Sequence, residues 1–122
     1  MQFDSDIQGE FSALFLEFRA LFLSFDEMHE VKNAKQTSYK DSYGRAVCLM
    51  RTNDKCLRVI FAQGANLEKL YPFLLGEGKI VRHLTFSNLS ELKQYPLKEM
   101  IQESLILNME AVELNKMKKM KQ

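Results

Sequence analysis

Three basic side chains, Lys79, Arg82 and His83, follow a Gly76-Glu77-Gly78 turn, an order that invites an anion-binding reading. Glycines let backbone N–H groups approach a phosphate or carboxylate closely, and lysine adds charge. The stretch is not a P-loop. That motif needs glycine where Phe73 stands and Ser or Thr where Ile80 stands, and it opens a helix rather than a strand. On an extended strand, Lys79 and His83 share one face and Arg82 takes the other. Lys79 and His83 can then hold a small anion, with Tyr39 and Gln63 assisting from neighbouring strands and Gly64, Gly76 and Gly78 supplying open backbone. Arg82 is expected to anchor an acidic residue of a helix or of a partner. The competing reading is structural: a turn that enters a β-strand.

Other chemistries find less support. His29 and His83 are the only imidazoles, and neither His-Glu-x-x-His nor Cys-x-x-Cys occurs. Hard oxygen ligands could come from two small acidic groups, Asp4, Asp6 and Glu10, or Asp26, Glu27 and Glu30, which also read as ordinary solvated faces. Cys48 and Cys56 fall on neighbouring apolar strands, away from any electropositive turn that would activate a thiol. They are expected to be reduced. No Gly-x-Ser-x-Gly elbow is present, and no two carboxylates are forced together, so the chain reads as non-catalytic.

The elements that must position these residues follow from periodicity. A first helix is expected from Ser5 or Asp6 to about Glu27, its core stripe running from Ile7 and Phe11 to Phe22 and Phe25. Leu16, Ala20 and Leu23 form a second patch well round that helix, which hints at a partner subunit. Strand-like patterns follow at Val31–Tyr39, Ala46–Arg51 and Cys56–Gln63, separated by Asp41-Ser42-Tyr43-Gly44 and Thr52-Asn53-Asp54-Lys55 turns. Both faces of the second and third strands are largely apolar, so a cover on each face is expected. A short helix capped by Asn66 and stopped by Pro72, a last strand Lys79–Phe86 and a long helix from Pro96 complete the order α-β-β-β-α-β-α. This is an α+β arrangement with N- and C-terminal helices on an antiparallel sheet.

Within it, Gly64, Ala65, Leu67, Leu74, Gly76, Gly78, Lys79, Arg82 and His83 stand in an order that resembles the YdhG-like family of small bacterial domains. Members often carry Asp-Pro where this chain has Lys69-Leu70, with Pro72 displaced onward. The resemblance implies a secretion-chaperone-like α+β fold. For some members it also carries an association with frataxin-like handling of iron.

With 17 basic and 16 acidic side chains the net charge is +1, so no global field draws the chain to nucleic acid or to a membrane. The acidic start does not resemble a signal peptide, and Phe11–Phe25, broken by Glu17 and Arg19, is too short and too charged to span a bilayer. The expectation is a cytoplasmic single domain over residues 1–122, with its core in 6–115. Lys116, Lys118, Lys119 and Lys121 form a basic tail at a helix C-terminus. The function expected is that of a binding or adaptor module, acting as a homodimer or on a protein partner, or taking a small anion. It needs no cofactor; iron belongs only to the frataxin-like alternative.

Overall fold

The computed structural model describes residues 1–120, so Lys121 of the basic tail lies outside the described residues. Five antiparallel strands form one sheet in sequence order: β1 (His29–Lys32), β2 (Thr37–Lys40), β3 (Ala46–Thr52), β4 (Leu57–Phe61) and β5 (Arg82–Phe86). Helices α1 (Gln2–Asp6) and α2 (Ser12–Leu23) precede the sheet, and α3 (Gly64–Leu67) interrupts it. A 3-10 turn (Leu89–Gln94) and α4 (Leu97–Met120) follow it. The α+β class and the antiparallel sheet agree with the sequence reading. No helix among the described residues is long and apolar enough to cross a membrane.

Two expected elements are each divided. The first helix is broken at Gly9, and Asp6, expected near its N-terminus, instead ends α1. There its buried carboxylate accepts hydrogen bonds from the Thr52 backbone at 3.1 Å, the Thr52 hydroxyl at 2.6 Å and Gln2 at 2.7 Å. Asp6 therefore ties α1 to the end of β3 and is no surface acid. The weak strand expected over Val31–Tyr39 is a hairpin of β1 and β2. Asn33 makes the turn, its side-chain oxygen accepting from the backbone N–H of Lys35 and Gln36 at 2.9 Å.

The same device recurs. Asn53 accepts from Lys55 and Cys56 between β3 and β4, and Asp41 accepts from Tyr43 and Arg45 between β2 and β3. Side-chain oxygens thus replace the strand ladder where the chain reverses. Gly44, at φ 76°, completes the Asp41 turn.

Pleat and register assign every strand residue to a face. Tyr39, Cys48, Met50, Leu57, Val59, Phe61, Leu84 and Phe86 point to one side and are buried. Phe18 meets Phe86 at 4.8 Å between ring centroids, and Phe22 meets Tyr39 at 4.7 Å, so α2 packs on that side. Met100 and Ile101 of α4 join the same core. Leu16 and Leu23 of the second α2 patch remain exposed.

A polar clasp holds the middle of α4. Buried Asn108 donates to Asp41 and to the Ala46 carbonyl, each at 3.0 Å, and accepts from Gln63 at 2.9 Å. Replacing Asn108 by alanine strands these partners beneath the helix, and each buried group left unpaired costs about 1–3 kcal/mol. Asn108→Ala should therefore lower the chemical-denaturation midpoint by an amount equivalent to about 2 kcal/mol or more. An unchanged midpoint would remove the clasp from the account.

Candidate functional site

The residues expected to form an anion site meet only in part: Gly64, Gly76 and Gly78 lie against Arg82, and Gly76 also lies beside the His83 ring, but Tyr39 does not join them. Tyr39 lies on the helix-covered face, fully buried, its hydroxyl donating to Glu30 at 2.9 Å. Burial, reinforced by that carboxylate, pushes the phenol pKa far above its ordinary value. Arg19 closes the group by donating to both Glu30 oxygens, at 2.8 and 3.0 Å. Glu30 is thus a paired structural acid and not part of an open carboxylate cluster. Gln63 is engaged by Asn108 and Asn66. Both cysteines are free thiols, and burial drives the Cys48 pKa up, which leaves it inert.

The last strand begins at Arg82, not Lys79, so the expected facing of Lys79 and His83 along one strand does not form. Lys79 sits in an exposed bend. Arg82 organises the loop before it. Its guanidinium donates to the Glu68 carboxylate and the Gly78 carbonyl, and to the Val81 carbonyl at 2.8 Å. The acidic partner expected for Arg82 is Glu68, just past α3.

The glycines have distinct reasons. A Cβ on Gly64 would lie 2.1 Å from the Arg82 backbone nitrogen, so the start of α3 presses directly on β5. Gly76 holds φ 118°, in a region that side chains strongly disfavour. Gly78 is not at positive φ, and its Cβ would make only ordinary contact with Val81.

His83 belongs to a different surface. A row of directly paired residues crosses the sheet on the face away from the helices: Val31, Ser38, Leu49, Ile60 and His83. Leu75 extends it beyond β5 through a two-hydrogen-bond bridge to His83. At about 4.8 Å per strand the row spans roughly 19 Å from β1 to β5. Leu49 and Ile60 are half-buried, yet belong neither to the core nor to the apolar residues packed around it. Val31 and Leu75 are 39% and 49% exposed. The cover expected on this second face is not supplied by α1, α2 or α4.

Basic side chains flank the row on both sides. Arg51 and Arg58 pair directly across β3 and β4 one pleat step away, while His29 and Lys40 pair across β1 and β2 on the other side. No strand residue on this face is acidic. None of the ion pairs among the described residues reaches these four side chains or His83. The Nε of Arg58 is buried without a hydrogen-bond partner. Like charges directly opposed on a sheet cost stability, so Arg51 beside Arg58 has no structural benefit here. The sequence reading did not single this cluster out: Arg51 closes the expected Ala46–Arg51 strand, and Arg58 lies inside the expected Cys56–Gln63 strand. Their pairing follows from the four-residue connection Asn53–Cys56, one residue on from the expected Thr52–Lys55 turn.

An open groove of about 510 Å³ also lies between the Asp41 turn and α4, lined in part by Phe25, Tyr43, Leu105, Ile106 and Met109. Among the described residues, no group of three or more His, Cys, Asp or Glu side chains could hold a metal ion. No protein-family model, curated protein or solved structure matches the chain.

Two predictions follow from this geometry. Gly64→Ala should destabilise by about 2 kcal/mol or more, because backbone must move, and Gly76→Ala by about 1 kcal/mol. Gly78→Ala should stay within about 0.5 kcal/mol of the parent. Equal losses at all three positions by denaturant unfolding would contradict these assignments. Separately, burial and the nearby Arg58 charge hold His83 below its ordinary pKa. The native state therefore disfavours the imidazolium. The resulting stability is present above the unfolded pKa of about 6.5 and is lost as pH falls through the lower folded value. Proton titration by NMR should show a depressed His83 pKa that rises in Arg58→Ala; a value unmoved by that change would separate the two groups.

Proposed function

We propose that this chain is a non-catalytic binding module whose working surface is the open face of its sheet. One observation carries the reading: a row across five strands, aliphatic at Leu49 and Ile60, is bordered by Arg51 and Arg58 on one side and Lys40 on the other, none of which enters an ion pair among the described residues. Unpaired arginines beside half-buried aliphatic side chains are a composition suited to a complementary surface, where apolar contact supplies affinity and charge supplies orientation. The anion site expected around Lys79 has less support, since Tyr39 is buried on the opposite face and Arg82 is already engaged by Glu68 and the Gly78 and Val81 carbonyls. The YdhG-like assignment forms part of this proposal and rests on the glycine and basic motif alone. Homodimerisation rests on exposed Leu16 and Leu23 and is a separate matter from the sheet face.

Photo-crosslinking tests the reading. A benzophenone side chain introduced at Leu49 or Ile60, with the protein in its native cell, should give a defined adduct. The same group at Leu16, on the outer side of α2, should not give that adduct. Crosslinking from Leu16 with none from either sheet position would transfer the binding surface to α2.

A further inference from the structure

The charge of the open face identifies the chemistry of what it takes. Resting on the sheet-face reading above, we infer that the partner is an acidic amphipathic segment of another protein, with an apolar ridge lying between carboxylates. The apolar ridge would occupy the row through Leu49 and Ile60, and carboxylates on either side would meet Arg51 with Arg58 and Lys40 with His29.

Three features of the face select this occupant. Its strand residues include three flanking cations, Arg51, Arg58 and Lys40, and no acid, although the chain as a whole carries 17 basic and 16 acidic side chains. The compensating acids therefore lie off these strands, and the strand side chains of this face contribute positive charge only, despite the near-neutral total. Second, the Arg51–Arg58 pair has its buried Nε unpartnered on Arg58, so an incoming carboxylate relieves both a like-charge contact and an unmet donor. Third, the centre of the face is aliphatic. No strand residue on it is Phe, Tyr or Trp, so only the separated imidazoles of His29 and His83 could stack, and the face lacks the large aromatic platform with which sheets hold single-stranded nucleic acid. A phosphate backbone would leave the Leu49–Ile60 centre unmatched, whereas a peptide with an apolar side fills it.

The test uses two synthetic peptides that share one leucine ridge, one flanked by glutamate and one by lysine. A single-stranded RNA of comparable length and vesicles of mixed phosphatidylserine and phosphatidylcholine complete the probe set. Binding to the whole protein is read by fluorescence anisotropy for the peptides and RNA, and by co-sedimentation for the vesicles. The glutamate peptide should bind at least about tenfold more tightly than the lysine peptide. Its affinity should fall as ionic strength rises from about 0.05 to about 0.3 M. The double change Arg51→Glu with Arg58→Glu should abolish the preference, and the milder Arg51→Gln with Arg58→Gln should reduce it. Lys93→Glu with Lys98→Glu alters net charge equally at exposed positions around the start of α4 and should leave binding unchanged.

Equal binding of both peptides, indifference to the arginine changes, or tighter retention of RNA or vesicles would each overturn the acidic-segment inference. If crosslinks still form from Leu49 or Ile60, the sheet-face reading survives that failure. If the crosslinked adduct is a second copy of this chain, the inference of a different protein falls. If no crosslink forms from the sheet, both fall together.

Discussion

A sheet five strands wide has two faces to satisfy, and the helices of this chain pack against one. Phe18 and Phe22 of α2 and Met100 and Ile101 of α4 join the core beneath Tyr39, Met50 and Phe86, and the short α1 is tied to the edge of that same layer through Asp6 and Thr52. Everything else follows from that one-sided commitment. In β3, β4 and β5 the residues alternating toward the core are mostly apolar and buried, while Arg51, Arg58 and Lys40, on the other face, enter no ion pair among the described residues. A one-residue slip in β3 or β4 would exchange the two sets, placing Arg51 and Arg58 in the core, so the register is strongly fixed.

Polar groups in the interior serve to lock this arrangement. Asp6, Asp41 and Asn108 are buried, and each bridges elements distant in sequence. The Arg19–Glu30–Tyr39 group does the same between α2 and the first hairpin. Asp41 both shapes the β2–β3 turn and receives Asn108 from α4, so a local turn preference and the docking of a long helix depend on one carboxylate. Arg82 plays the corresponding part at β5, holding Glu68 and the loop carbonyls in place while Gly64 admits its backbone. Two of the residues expected to bind ligand, Arg82 and Tyr39, are thus engaged in assembly.

Much of the fold was legible in the sequence. The α+β class, the β3–β4 hairpin, the start of α4 beside Pro96 and the Phe-rich core stripe of α2 all follow from periodicity and turn chemistry. The division of the first helix was hidden because Ile7 and Phe11 keep helical spacing across the break at Gly9. Asn33 conceals a turn in a polar stretch that reads equally well as a weak strand. The open face was misjudged for a physical reason. Leu49 and Ile60 suggest burial, and only their register beside Arg51 and Arg58 shows that they belong to a surface bordered by charge. The separation of Tyr39 from His83 could not be read without pairing, since both are strand residues and only alternation across four strands assigns them to opposite sides.

The central claim is that this basic face stands open in the free protein, and arginine reactivity measures that directly. Phenylglyoxal modification at low protein concentration, with sites quantified by mass spectrometry, should label Arg51 rapidly. Arg19 and Arg82, held by Glu30 and Glu68, should react slowly. Arg51 protected as strongly as Arg82 would mean that the face is covered, and the account of a surface waiting for a complementary partner would be wrong.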